Sequence, residues 1–283
     1  MAILNCTPDS FYGESRLEDV PAAVEAARSA LHEGARIIDI GGESTRPGST
    51  AVGEAEQIRR TVPVIEAIRA RRDLDALAIS IDTTRAAVAR AALDAGADAV
   101  NDVSGLADDR DEMVAVLEAG DAGYILMHRL KKPANDSYSD RYSAAPAYSD
   151  VVLDVKSFLE QTLAALASRG IEPARVLLDP GLGFGKSVEQ NLDLIRRTGE
   201  IAAIGRPILS GLSRKSFVGR VAFGRDSDPV ERLEGTIALS VLHLLHGARL
   251  FRVHDVAACA SALRASSAFL PVNLPPPRRH PRR

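Results

Sequence analysis

Polar segments directly follow short apolar runs at several points in this sequence, and they hold the side chains whose types suit chemistry. One of them is Asp39–Gly48, which combines glycine and proline with Glu43, Ser44, Thr45 and Arg46. A buried strand that ends in a rigid polar loop is a common way for α/β proteins to build a reaction site. An ordinary strand-to-helix connection has similar residues, so the recurrence of the pattern along the chain is what favours a site.

Asp82, Asn101 and Asp179 each stand at the end of an apolar run. If those runs are parallel strands of a barrel, the three side chains converge on its mouth. Carboxylate and amide groups there suit adjacent N–H donors and acceptors on the edge of a heterocyclic ring. One such residue is usually a helix N-cap, but three at successive strand ends favour a binding site.

The segment Asp179–Ser187 ends in Gly-Lys-Ser, as nucleotide phosphate loops do. Those loops need a glycine five positions before the Gly-Lys pair, where this sequence has Pro180, and no GxGxxG motif is present. We therefore reject a nucleotide loop. Its glycines instead allow the backbone to lie against a flat ligand, with Phe184 as an apolar wall.

Ser213–Ser216 contains two cations and two hydroxyls, and Arg252 and His254 follow the next apolar run. Barrels commonly bind phosphate in the loops after strands seven and eight, and arginine binds it with paired hydrogen bonds. These residues predict an anion site, although a solvated basic surface has the same composition. Asn5, after the first run, either ligates a hard cation through its amide oxygen or forms an Asx turn.

Eight apolar runs, each followed by a helical pattern, must position these residues. Short, wholly apolar strands indicate a parallel sheet buried on both faces. Eight such units predict a TIM-type (β/α)8 barrel with its active site at the C-terminal face of the strands, rather than a doubly wound sheet.

Residues 1–270 form one predicted domain. Residues 271–283 are predicted to be a disordered tail rich in Pro and Arg, and residues 129–146 a lid or disordered loop. Predicted helices include 54–71, one capped by Thr84, 148–169 and 228–246.

Composition limits the possible partners. Acidic residues (38) slightly outnumber basic residues (35), which argues against a general binder of nucleic acid. Two cysteines favour a reducing compartment. We interpret Cys6 as a small buried side chain rather than a nucleophile. Because no apolar run approaches the roughly 20 residues of a membrane span and no signal peptide is evident, we expect a cytoplasmic protein. His243 and His246 suit packing or the surface better than metal binding.

Seven motifs together resemble the signatures of dihydropteroate synthases and occur in the order typical of that family. The most specific are Gly-Gly-Glu-Ser-Thr-Arg-Pro-Gly and Ser-Arg-Lys-Ser-Phe. The motifs are Leu4–Phe11, Asp39–Gly48, Ser80–Thr83, Asn101–Gly105, Asp179–Lys186, Ser213–Phe217 and Arg252–Asp255.

Members of that family join 6-hydroxymethyl-7,8-dihydropterin pyrophosphate to para-aminobenzoate, releasing pyrophosphate, in folate biosynthesis. The resemblance implies small-molecule substrates, Mg²⁺ as cofactor and a homodimer, with Asp82, Asp179 and Lys215 as catalytic residues. It implies a pterin site of Asp82, Asn101, Met127, Asp179, Phe184 and Lys215. It further implies a pyrophosphate site of Asn5 (also the metal ligand), Arg252 and His254, and an aminobenzoate site of Phe11, Thr45, Arg46, Pro47 and Ser213.

Two other functions fit part of the pattern. A pterin-dependent methyltransferase domain shares the barrel and the Asp/Asn contacts to the pterin, but has no need of Thr45–Pro47 or Ser213–Lys215. A non-catalytic pterin-binding paralogue fits the departures from the family pattern after Phe11 and after His128. Release of pyrophosphate separates a synthase from both.

Overall fold

A computed structural model describes residues 1–6 and 16–270, with side chains from Val20 onward in the second range. Eight parallel strands pair in chain order, which confirms the predicted α/β barrel. The predicted tail, residues 271–283, lies outside the described residues. The strands are β1 (Ala2–Asn5), β2 (Ile37–Gly41), β3 (Ala78–Asp82), β4 (Ala99–Asp102), β5 (Gly123–Met127), β6 (Val176–Asp179), β7 (Ile208–Ser210) and β8 (Ala248–Phe251).

The two outermost strands meet through the residues that follow β8. Ile3 N–H donates to the carbonyl oxygen of Val253 at 3.2 Å, and Val253 N–H donates to that of Met1 at 3.0 Å. Ala2 and Val253 form a parallel bridge at this position. The sheet therefore closes on itself, so that every strand end faces one common mouth.

Helices alternate with the strands. Those in the described ranges are α1 (Arg16–His32), α2 (Glu54–Arg69), α3 (Ala86–Asp94), α4 (Arg110–Glu118), α5 (Val151–Ser168), α6 (Val188–Arg196), α7 (Thr198–Ala202), α8 (Ser216–Phe223), α9 (Leu233–Leu245) and α10 (Val256–Ser267). No described helix is long and apolar enough to cross a membrane.

Alternation along the strands creates two apolar layers. The larger lies between the sheet and the helices, where Ile40 and Ile81 meet Ile65 of α2, each 0% exposed. The smaller fills the barrel interior with Met1, Ile125 and Leu209, and with the partly buried Ile37, Leu177 and Leu250.

The interior apolar layer determines which residues form the mouth. Side chains of a strand return to the same face every second position. Two positions beyond the interior apolar residues stand Ile3, Asp39, Met127, Asp179, Gly211 and Arg252. The polar members of this set consequently lie directly above an apolar plug, inside the barrel.

Three details of the sequence prediction were wrong. The N-cap of α3 is Arg85 rather than Thr84, because the first helical amide, on Ala86, donates instead to Asp109 of the next unit at 2.8 Å. The predicted helix 228–246 is a 3₁₀ turn followed by α9, and the short helix α8 was missed. Residues 129–146 were predicted as a lid or a disordered loop, and the second alternative is wrong because they contain two 3₁₀ turns.

Candidate active site

A cavity of about 390 Å³ opens at the C-terminal ends of the strands. It brings together every site residue predicted from the sequence except Phe11, which lies outside the described residues. The predicted residues that line it are Asn5, Thr45, Arg46, Pro47, Asp82, Asn101, Met127, Asp179, Phe184, Ser213, Lys215, Arg252 and His254.

Asp82 and Arg252 form a buried ion pair in this cavity. Arg252 Nη2 donates to Asp82 Oδ2 at 2.7 Å, and its Nε donates to Asp39 Oδ2 at 2.6 Å. Asp39 also accepts from Ser80 Oγ at 2.5 Å and from Asn101 Nδ2 at 3.0 Å. Asp39, which the sequence analysis gave no role, therefore orients both Asn101 and Arg252.

The second carboxylate oxygen of Asp82 remains available for a hydrogen bond. Within the described part of the chain, Oδ1 of Asp82 is buried and has no hydrogen-bond partner. Burial raises the pKa of this carboxyl group to about 7, although the charge of Arg252 lowers it. A buried acceptor without a donor is unfavourable, and Asp82 lines the cavity, so it is suited to a donor brought by a ligand.

Asp179 and Lys215 also line the cavity. Asp179 Oδ1 accepts from Gly181 N–H at 2.7 Å, and burial raises the pKa of the carboxyl group against the effect of Lys215. Desolvation in the barrel mouth lowers the pKa of Lys215 to about 7, while Asp179 raises it. Lys215 Nζ donates to the carbonyl oxygen of Leu182.

The glycines after Asp179 do more than admit a flat ligand. Gly181 has φ +69°, and a side chain there would collide with the carbonyl group of His128. Gly183 has φ +82°, and a Cβ there would lie 2.5 Å from Lys215 Cδ. Only Gly183 and Phe184 of this segment line the cavity, beyond Asp179, so the segment is shaped mainly for close packing.

Lys186 differs from the lysine of a phosphate loop. Its Nζ lies among acceptors of the protein itself, and Ser187 is the N-cap of α6 in a capping box with Gln190. His128 is 7% exposed, and its Nδ1 lies 3.1 Å from Lys186 Nζ.

The loop after β2 is braced at its base. Glu43 accepts from Val52 N–H at 2.9 Å and from Gln57 Nε2 at 3.0 Å. Its tip, residues 45–48, is partly exposed, and Gly48 N–H donates to the carbonyl oxygen of Pro133 at 3.1 Å. Thr45, Arg46 and Pro47 thus reach over the cavity from a fixed base.

Lining residues that the sequence analysis did not predict include Tyr138, Ser139 and Arg232, while it named Ser216 only as part of the Ser213–Ser216 anion motif. Ser216 is the first residue of α8, so recognising that helix would have placed it at a helix N-terminus. Arg232 precedes α9 and carries no local signal. The first two belong to residues 129–146, where buried Ser139 accepts from Asn191 Nδ2 at 3.1 Å.

The loop after β7 is held in a strained form. Arg214 has φ +57°, which is uncommon for a residue other than glycine. Its N–H donates to Thr236 Oγ1 at 3.0 Å, its Nε donates to Asp255 at 2.8 Å, and its carbonyl oxygen accepts from Arg232 at 2.9 Å. These contacts fix the direction in which Lys215 leaves the loop.

Ser213 and His254, two residues of the predicted anion site, contact each other in the cavity. Ser213 Oγ is 3.0 Å from His254 Nδ1 and accepts from His254 N–H at 3.2 Å. The predicted cations are not all unpaired, because Arg214 contacts Asp255 and Arg252 contacts two carboxylates.

Asn5 is the residue predicted to ligate a metal. A Cβ on Gly41 would lie 3.9 Å from Asn5 Oδ1 and 3.8 Å from Asp82 Oδ2, so these two oxygens lie beside the same glycine. Among the described residues, no cluster of three His, Cys, Asp or Glu side chains could hold a metal. The donors fit a hard ion that takes most of its ligands from phosphate and water.

A parallel (β/α)8 barrel whose mouth combines carboxylates, an amide, a lysine and an aromatic wall defines an enzyme that binds a flat, polar heterocycle. The family described as "Pterin binding enzyme" matches residues 1–254. A dihydropteroate synthase of Synechocystis is 42% identical over 270 residues, 95% of this chain and 89% of the relative. The chain belongs to the dihydropteroate synthase family, as its motifs predicted.

Solved structures agree. A dihydropteroate synthase of Clostridium difficile, determined in the presence of pteroic acid, superposes with a TM-score of 0.84 at 40% identity, covering 95% of each chain. That of Xanthomonas albilineans with 4-aminobenzoic acid gives a TM-score of 0.82 at 40% identity, covering 96% of this chain and 93% of that one.

Proposed function

We propose that this protein joins 6-hydroxymethyl-7,8-dihydropterin pyrophosphate to para-aminobenzoate, forming 7,8-dihydropteroate and releasing pyrophosphate. The observation that carries the proposal is the cavity that Asp82 lines together with Asn101, Asp179 and Lys215, where Oδ1 of Asp82 is buried without a hydrogen-bond partner among the described residues. The edge of a pterin offers N–H donors and ring acceptors that match this set. Membership of the family supports the same reaction.

The pterin end stabilises charge as well as binding the ring. When the C–O bond to pyrophosphate breaks, positive charge spreads from the methylene carbon into the pterin. The carboxylates of Asp82 and Asp179, fixed by Arg252 and by Gly181 N–H, favour that charge without reorganising. Met127 and Phe184 wall the ring.

The aminobenzoate end uses two elements. Thr45, Arg46 and Pro47 cover the ring, and Ser213 lies beside it. The N-terminus of α8 with Ser216, together with Arg232, supplies backbone dipole and charge for the carboxylate. The arylamine attacks as the neutral amine, so no strong general base is required, and closure of the loops excludes water.

The leaving pyrophosphate binds at Asn5, Arg252 and His254. Asn5 would hold a Mg²⁺ ion together with the phosphate oxygens, and such an ion would supply positive charge next to the leaving group. Arg252 donates to the same group, and Ser213 orients the imidazole of His254 through Nδ1.

We also propose a homodimer. Helices α8 and α9 leave large apolar side chains exposed, including Val221 (43%), Leu242 (46%) and Leu245 (49%). Exposed apolar residues of this size on neighbouring helices suit an interface with a second copy of the chain. Analytical ultracentrifugation tests this, and a monomer at micromolar concentration would refute it.

Pyrophosphate release in a coupled assay tests the proposed reaction. We expect release only when both the pterin substrate and para-aminobenzoate are present, and a large loss of rate when Mg²⁺ is chelated. Dihydropteroate should accumulate in equal amount. Pterin binding without any turnover would show instead a non-catalytic protein.

A further inference from the structure

Lys186 ends the glycine-rich segment and is completely buried, 0% exposed. Its Nζ lies 3.0 Å from the carbonyl oxygen of Gly181 and 2.8 Å from that of Phe184. The same atom lies 3.1 Å from Nδ1 of His128 and 3.3 Å from its carbonyl oxygen. An ammonium group has three donors, so these contacts tie both ends of the Gly181–Phe184 turn to the end of β5.

The Gly181–Phe184 turn in turn holds two residues of the pterin end. Leu182 offers its carbonyl oxygen to Lys215 Nζ, and the centre of the Phe184 ring lies 4.0 Å from the same Nζ. Gly183 packs directly against the Lys215 side chain. A shift of the turn would therefore move Lys215 and Phe184 together. Lys186 itself does not line the cavity.

A buried lysine such as Lys186 is energetically unfavourable at a position that has only a structural role. Burial lowers its pKa to about 7, and among the described residues no carboxylate hydrogen-bonds to it. Burial and the charge of Lys186 lower the pKa of His128 to about 3, so its imidazole is neutral and Nδ1 is able to accept. An apolar side chain would avoid the desolvation of a buried cation, which suggests that the ammonium serves the neighbouring site.

We propose that Lys186 is a positioning residue for the pterin: it fixes the Gly181–Phe184 turn, and through that turn the ammonium of Lys215 and the ring of Phe184. The inference rests on the proposed function, since the pterin is its substrate. It differs from a role in stability alone, because it predicts weaker pterin binding by protein that remains folded.

Calorimetric binding of the pterin pyrophosphate, without aminobenzoate, tests this role. Lys186→Met keeps the length of the side chain and removes the ammonium, so we expect Kd to rise at least about tenfold. Lys131→Met, at an exposed position outside the cavity, is the matched control and should bind as the wild type does. A normal Kd with fewer binding sites or a lower Tm would show a structural role only and overturn the proposal.

His128→Leu decides the matter if Lys186→Met does not fold. It removes one acceptor of Lys186 but leaves the carbonyl oxygens, so we expect Kd to rise about threefold. An unchanged Kd would refute the proposal. The pyrophosphate assay on the wild type separates the proposed reaction from the positioning role of Lys186. Wild-type protein that binds the pterin without turnover would refute the reaction. The positioning role would still be tested by the Kd values of the variants.

Discussion

At the scale of residues, the two carboxylate oxygens of Asp82 differ: one is hydrogen-bonded within the protein, and the other is available to a ligand. Arg252 holds one oxygen, and Asp39, itself 0% exposed, holds Arg252. The other oxygen is buried and has no hydrogen-bond partner among the described residues, and Asp82 lines the cavity. The ion pair therefore fixes the direction of the free oxygen, which a single carboxylate on a surface loop could not achieve.

Asp82→Asn tests that role. The asparagine amide keeps the shape of the carboxylate but loses its charge. Its NH2 group would face a hydrogen-bond donor, either Arg252 or the ligand. We expect kcat/KM to fall about 100-fold, as for loss of a buried charged hydrogen bond. Steady-state kinetics measures this, with Asp94→Asn at the exposed end of α3 as the control. A fall of less than about threefold would contradict the assignment.

At the scale of elements, strand ends were predictable because each apolar run stops at a polar residue such as Asp82 or Asp179. Helix ends were harder to predict, because a cap can come from a distant part of the chain. The amide of Ala86, for example, is capped by Asp109, 23 positions away. The sequence analysis predicted no helix between Ser216 and the helix 228–246. In the structure Gly224, at φ +66°, ends α8, and Pro229 begins a 3₁₀ turn, so two short elements separate what the sequence pattern merges.

The loop after β2 gives a prediction at this scale. Residues 45–47 reach the cavity from a loop that contributes nothing to the proposed pterin grip. We expect Arg46→Ala to raise the KM for para-aminobenzoate about fivefold to tenfold, with little effect on the KM for the pterin substrate. Arg59→Ala, exposed on α2 and outside the cavity, is the control. Equal effects on both KM values would refute an aminobenzoate flap.

At the scale of the whole molecule, the site depends on contacts between distant parts of the chain. Arg252 meets Asp39 across 213 positions, and Lys186 meets His128 across 58. The sequence predicted that Arg252 and Asp82 lie at one mouth, because both follow strands. It could not predict their pairing, since that depends on the closure and register of the complete barrel.

Two buried histidines give the barrel a pH dependence. Burial lowers the pKa of both His128 and His243 to about 3. An unfolded chain takes up these protons below about pH 6.5, while the folded chain does so only near pH 3. Stability is therefore lost as pH falls through this window, by about 1.4 kcal/mol per pH unit for each histidine.

His243→Asn isolates one of these contributions. His243 Nδ1 lies 2.9 Å from Ser210 Oγ, and Nε2 has no partner among the described residues, so an asparagine amide replaces the one contact. Urea unfolding between pH 7 and 5 should show a shallower pH slope than wild type, whereas His32→Asn, at an exposed position, should not. Parallel slopes for all three proteins would contradict a neutral buried His243.

The junction between β8 and β1 acts as a seam. Near Val253, two main-chain hydrogen bonds of 3.0 and 3.2 Å join the two edges. Asn5 lies on one side of this seam, and Arg252 and His254 lie on the other. A pyrophosphate group bound by all three residues would connect the two sides of the junction. It would stabilise the closed barrel while substrate is bound, and this stabilisation would be lost when the leaving group departs.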